Sequence, residues 1–100
     1  EAGQYELALT DYRHVIELMP DSPAAYTNMG SIYLRAQQWQ KAVESFDKAI
    51  EIMKSAGKEF DSGKPYFVRA IASEQLGNHQ QAREDYRVSC RIEFLGCDKL

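Results

Sequence analysis

Apolar residues recur along this chain at intervals of three and four, with polar residues between them, and nowhere in strict alternation. From 24 to 36, Tyr26, Met29, Gly30 and Tyr33 fall at i, i+3, i+4 and i+7 and form one stripe on a helix. Asp21, Ser22 and Pro23 precede it. A serine there can cap free N–H groups, and proline suits the first turn. The same rhythm runs from 39 to about 56 through Trp39, Ala42, Val43, Phe46, Ala49, Ile50 and Met53, with Gly57 placed to close that helix in the left-handed conformation. Two further segments, 64 to 76 and 79 to about 94, are separated by the turn residues Leu76-Gly77-Asn78-His79. With the opening segment, "EAGQYELAL", the pattern predicts five helices joined by short turns and no strand.

A glycine inside the second helix requires a reason, because it costs about 1 kcal/mol relative to alanine. Gly30 and Ala42 are small enough to let two antiparallel helices touch nearly backbone to backbone, with Tyr26, Trp39 and Phe46 filling the space around them. Ala70 and Ala82 are placed to do the same further on. Alternating small and large residues across a helix pair brings its packing to native density.

The chain also repeats itself. Ala8, Tyr12 and Ile16 recur as Ala42, Phe46 and Ile50, displaced by 34 residues, and again as Ala82, Tyr86 and Cys90 after a displacement of 40. A period near 34 with small and aromatic residues in register marks a helical-hairpin repeat. The middle unit reads Tyr26-x2-Met29-Gly30-x2-Tyr33, then Ala42-x3-Phe46, while Pro20 closes the first unit. At these residues the chain resembles the tetratricopeptide repeat family. Lys54 stands where the closing proline of the middle unit is expected, and the third unit, Tyr66-x2-Arg69-Ala70-x2-Ser73, keeps the small residue but loses two large ones. On this reading residues 1–22 are the second half of a repeat, 23–56 a full repeat, 57–62 an insertion and 63–96 a second full repeat.

The resemblance implies an all-α fold, a right-handed superhelical stack of antiparallel helix pairs whose first helices line a concave groove. Carried over by position, that groove would be lined by Ala24, Thr27, Asn28, Ser31 and Arg35 from one helix, and by Lys64, Phe67, Val68, Ile71 and Gln75 from the next. Asn28, Arg35 and Lys64 suit a carboxylate or a peptide backbone. Phe67 and Ile71 read either as an apolar pocket floor or as core covered by Phe60 or a neighbouring helix. Family members that grip the C-terminal carboxylate of chaperone tails use lysines and asparagines from three successive first helices. Asn28 and Lys64 match two of those positions, Val68 replaces an arginine, and the helix that would carry the other two precedes residue 1.

Composition adds exclusions. A net charge of −3 and a pI near 5.3 provide no general attraction for nucleic acid. No apolar run approaches the roughly 18 residues of a membrane span. The chain begins in helical rhythm without a methionine and so reads as a piece of a longer protein. His14 and His79 are the two histidines, His79 at a position where the repeat places a packed ring and His14 on an outer face. Neither accompanies a cysteine in the expected register, and no phosphate loop or metal-ligand spacing occurs. Neither an enzyme nor a cofactor is expected.

Arg83, Arg87 and Arg91 form a basic ridge, read as a solvated convex face with Glu84, Asp85 and Glu93 as candidate internal partners, or as a site for an acidic partner. Cys90 sits on the buried stripe of its helix and reads first as a buried free thiol. Cys97 follows Gly96, where a turn can bring the two thiols together, and "SCRIEFLGC" is similar to the paired cysteines of Sel1-like repeats, one residue shorter in spacing. A free thiol fits a cytoplasmic protein and a disulfide a secreted or periplasmic one. The function expected is binding of a protein or peptide partner in the groove. The alternative is self-assembly into a homo-oligomer through terminal helix faces, where Tyr5, Leu9 and Tyr12 look unpartnered.

Overall fold

A computed structural model describes residues 2–100, so Glu1, where the first half-unit was expected to begin, lies outside the described residues. Five α-helices follow one another: α1 (Ala2–Leu18), α2 (Pro23–Arg35), α3 (Trp39–Ser55), α4 (Lys64–Gln75) and α5 (His79–Glu93), before a single 3₁₀ turn at Cys97–Lys99. There is no strand among the described residues. Each helix packs on the next, and α2 also touches α4, so the first helices of the two hairpins lie side by side. The result is an all-α stack of antiparallel hairpins measuring 35 × 31 × 18 Å.

Local chemistry explains the boundaries. The Ala25 N–H donates to Ser22 Oγ at 3.3 Å, and Pro23 opens the first turn of α2. Lys54 lets α3 continue to Ser55, after which Gly57 takes φ +71° and the Lys58 N–H returns to the Met53 carbonyl at 2.8 Å. Gly77 ends α4 in the same way at φ +84°. The α2–α3 turn instead places Gln37 at φ 60°, and α5 ends with Phe94 at φ 58°, both conformations that non-glycine residues seldom take.

The core is built around its small residues. Gly30 is buried, and a Cβ there would overlap the ring of Phe46, whose Cζ lies 2.9 Å from the added atom. The glycine therefore makes room for an aromatic ring, that of Phe46. Phe46 is fully buried, worth about 1.5–3 kcal/mol and enough to offset the glycine's helix cost. Ala42 packs with Phe46 of its own helix and with Val68 and Ala72 of α4, flanked by Tyr33, Leu34, Val43 and Phe67. A second cluster joins Ala70, Ala82 and Tyr86, flanked by Phe67 and Ile71. Phe67 bridges the two, with its ring 5.9 Å from that of Tyr86.

Three other expectations change. Leu9 is 3% exposed, Tyr5 and Tyr12 are half-buried, and the Tyr5 hydroxyl donates to the Arg35 carbonyl, so α2 covers the α1 face expected to be open. The exposed apolar residues of this end are Leu7, Leu18 and Met19. His79 does not pack as a ring and is exposed at the start of α5. Cys90 is half-buried and joined to Cys97 by a disulfide rather than present as a free thiol. The bond is reachable because α5 stops at Phe94 and Gly96, at φ +76°, turns the chain back. Gly96 is buried against Tyr86 and Phe67, and Ser89 Oγ donates to the Leu95 carbonyl at 2.7 Å, which holds the returning segment on the helix.

Candidate functional site

Because α2 and α4 lie side by side and run from the same end of their hairpins, their first turns enclose a hollow of about 310 Å³. Pro23, Ala24, Thr27 and Asn28 form one wall, Lys64 and Pro65 the other, and Met53 of α3 lies between them. The connection between the hairpins closes the rim with Lys58, Asp61 and Ser62. Met53 is 5% exposed, so the lining carries an apolar residue at its base. Lys58, Asp61 and Lys64 are exposed, and two ammonium groups against one carboxylate leave the rim with a positive excess.

Each polar group has a different freedom to bind. Thr27 is buried and its hydroxyl donates to the Pro23 carbonyl at 2.8 Å, which commits that donor to its own helix. Asn28 is half-buried and keeps an amide that can both donate and accept. The first turns of two helices end here, and their N-terminal dipole ends favour negative charge. The lining thus combines amide and ammonium donors with an apolar floor.

Among the groove residues expected from sequence, Ala24, Thr27, Asn28 and Lys64 meet in this hollow. Phe67 and Val68 belong to the packing around Phe46, and Ile71 packs against the Ala70 cluster, but Phe67 and Ile71 are only half-buried and keep part of their surface exposed. Phe60 is 65% exposed and covers neither. Ser31 is half-buried, whereas Arg35 and Gln75 are exposed at the far ends of α2 and α4. Lys58, Asp61 and Ser62 were missed because the insertion stands outside the repeat register and so had no position to inherit. Their signal was the charge pair that follows the helix-closing Gly57.

Beyond the hollow lies a partly buried ionic network. Arg69 donates from Nε and Nη2 to the two oxygens of Asp85 at 2.8 and 2.7 Å, and from Nη1 to Asp47 at 2.8 Å. Burial alone would lower the arginine's pKa, but Asp85 and then Asp47 outweigh it and hold the guanidinium charged even more firmly than usual. Nearby, the Tyr86 hydroxyl donates to Glu74, and burial, together with that carboxylate, raises its pKa above the usual tyrosine range. These groups connect α3, α4 and α5 rather than face a ligand. Among the described residues no His, Cys, Asp and Glu cluster has a metal-binding arrangement, and no helix is long and apolar enough to cross a membrane.

Side-by-side hairpins with this small-and-aromatic register are what the comparison with known proteins recovers. A tetratricopeptide repeat model matches residues 21–92, and a second, described as TPR repeat, matches residues 1–37. The chain belongs to the tetratricopeptide repeat family, whose members generally mediate protein–protein interactions. It is 30% identical over 98 residues to the human mitochondrial import receptor subunit TOM70, a match covering 93% of this chain and 15% of that protein. It is also 30% identical over 93 residues to human serine/threonine-protein phosphatase 5, covering 93% of this chain and 17% of the phosphatase. The TPR repeat-containing thioredoxin TDX of Arabidopsis thaliana is 23% identical over 92 residues, which are 23% of its length. The chain thus spans less than a quarter of each of these relatives.

Proposed function

We propose that this chain is a non-catalytic binding module that takes a short peptide segment of a partner protein into the hollow between α2 and α4. The repeat boundaries expected from sequence fit this reading, since each full unit contributes its first helix to one wall. The observation that carries it is the meeting of Asn28 and Lys64, from separate repeats, over the apolar Met53 with Lys58 at the rim. A peptide carboxylate would be held by Lys64 and Lys58, and Asn28 would bond the adjacent amide. Val68 is buried and offers no charge where some relatives use arginine, so the occupant is held by fewer ionic contacts than in a full carboxylate clamp. The remaining expected groove positions, Ser31, Arg35 and Gln75, would touch only the continuation of the peptide.

The test is an array of short peptides with free or amidated C-termini, read by fluorescence anisotropy. Free-carboxylate peptides should bind, and Lys64→Glu should weaken them roughly tenfold, since two charges change sign relation at close range. Equal binding of both peptide sets, or no effect of Lys64→Glu and Asn28→Ala, would remove the hollow as the site.

Self-assembly is the second reading, and Leu7, Leu18 and Met19, at 70%, 83% and 56% exposure, favour it. Exposed apolar residues on and just after α1 invite stacking between copies. Light scattering across a concentration series decides: a constant monomer mass rules it out. The Cys90–Cys97 bridge fits a compartment that sustains disulfides, and thiol titration of the native protein would test the bridge itself by showing no free thiol.

A further inference from the structure

The outer face of α5 carries charge that the fold leaves unused. Arg83, Arg87 and Arg91 are exposed and stand at i, i+4 and i+8, with exposed His79 one step earlier. Like charges at that spacing oppose the helix that holds them. Asp85 and Glu93, two of the three acids interspersed with the arginines, are engaged elsewhere. Asp85 is buried beneath Arg69, and Glu93 accepts from the Gly63 N–H and the Ser62 hydroxyl at the start of α4. Glu84 remains as the exposed acid beside the ridge, in the shallow depression it shares with His79, Gln80, Arg83 and Arg87. Among the described residues none of the three arginines forms an ion pair.

We propose that this ridge docks an acidic helix of a protein partner. Charge complementarity argues for the acid, and spacing argues for the helix. Successive arginines are separated by about 6 Å of helical rise, and carboxylates at i, i+4 and i+8 of a second helix advance by the same step. With the two helices crossed so that these inclined i±4 rows align, each guanidinium can meet one carboxylate in a forked pair. A nucleic acid fits less well, because the depression beside the ridge is lined by His79, Gln80, Arg83, Glu84 and Arg87 and offers no Phe, Tyr or Trp ring on which a base could stack. The ridge shares no residue with the hollow, so the two surfaces stand or fall separately.

The test titrates the intact chain with a labelled, helix-stabilised peptide carrying glutamates at i, i+4 and i+8. A second peptide has the same composition with its glutamates moved off that register, and an oligouridylate of equal charge is the third probe. The in-register peptide should bind, the shifted one at least about threefold more weakly, and added salt should weaken both. Arg87→Gln should cost about threefold, and Arg83→Gln/Arg87→Gln/Arg91→Gln should lose binding while keeping the helical circular dichroism spectrum. Lys64→Glu should leave this binding unchanged. No binding at low salt, equal binding of the two peptides, tighter binding of the RNA, or indifference to the glutamine variants would each overturn the proposal. The two-peptide comparison uses the unaltered chain, so it decides even if the triple variant misfolds.

Discussion

The two complete hairpins solve one packing problem with different chemistry. Residues forty positions apart occupy equivalent places: Met29 and Arg69, Gly30 and Ala70, Ser45 and Asp85, Phe46 and Tyr86, Ala49 and Ser89, Ile50 and Cys90. The α2–α3 hairpin fills them with apolar or small residues around a fully buried phenylalanine. The α4–α5 hairpin keeps the small residues and the ring but adds a buried arginine–aspartate pair, a tyrosine–glutamate hydrogen bond, a buried serine and a disulfide. The substitutions are coupled. Where Met29 becomes Arg69, Ser45 becomes Asp85, the two side chains that meet bidentately. An apolar hairpin tolerates loss of one contact as a cavity, whereas a polar one strands whatever it leaves unpaired.

That difference can be broken most severely at Asp85. Asp85→Ala should cost about 3–5 kcal/mol in urea denaturation, because it leaves a largely buried guanidinium with only Asp47. The double variant Arg69→Met/Asp85→Ser, which transplants the chemistry of the middle hairpin, should recover most of that loss. If the single variant is as stable as the parent, the ionic pair is not what holds α4 to α5. Cys97→Ser comes next, at about 2 kcal/mol for so short a loop. Hydrogen exchange should accelerate for 94–100 and remain unchanged in α2 and α3.

Gly30→Ala probes the apolar hairpin. The new methyl gains about 1 kcal/mol of helix propensity but meets a ring with no room to retreat, and overpacking of this kind costs about 1–3 kcal/mol. A net loss of roughly 1 kcal/mol is expected, and a more stable variant would show that the ring moves freely. The smallest effect is Tyr86→Phe, about 1 kcal/mol at neutral pH, since Glu74 is exposed and regains water. Its signature is in alkali. Folded Tyr86 titrates above the ordinary tyrosine value of 10.0, so its contribution is complete below that pH and declines as pH rises beyond it. Tyr66, also raised by burial, adds to the same limb. Stability of the parent should fall above pH 10, and Tyr86→Phe should flatten that fall.

The helices were legible because apolar spacing, caps and turn residues are local. Ser22, Gly57, Gly77 and Gly96 act where they stand in the chain. The 34-residue displacement made the hairpin stack legible as well, since equivalent side chains must meet equivalent neighbours. Part of the candidate site's lining followed from that register: Ala24, Thr27, Asn28 and Lys64 were assigned to one groove by position, and all four line the hollow. Val68, assigned by the same rule, is buried and Phe67 half-buried against the Phe46 cluster, because a large apolar side chain gains more from the neighbouring core than from water.

What the sequence determined by itself, then, was the repeat: five helices and their register. Only the tertiary structure decided which partner each residue meets. Gly30 serves the ring of Phe46 sixteen residues away, Asp85 turns to Arg69 rather than to its arginine neighbours, and Cys90 reaches Cys97 through a turn. The reason is physical. Helix periodicity assigns a residue to a face, but the faces that meet, and the charges left over to meet something else, depend on packing across the hairpins, which no local spacing encodes.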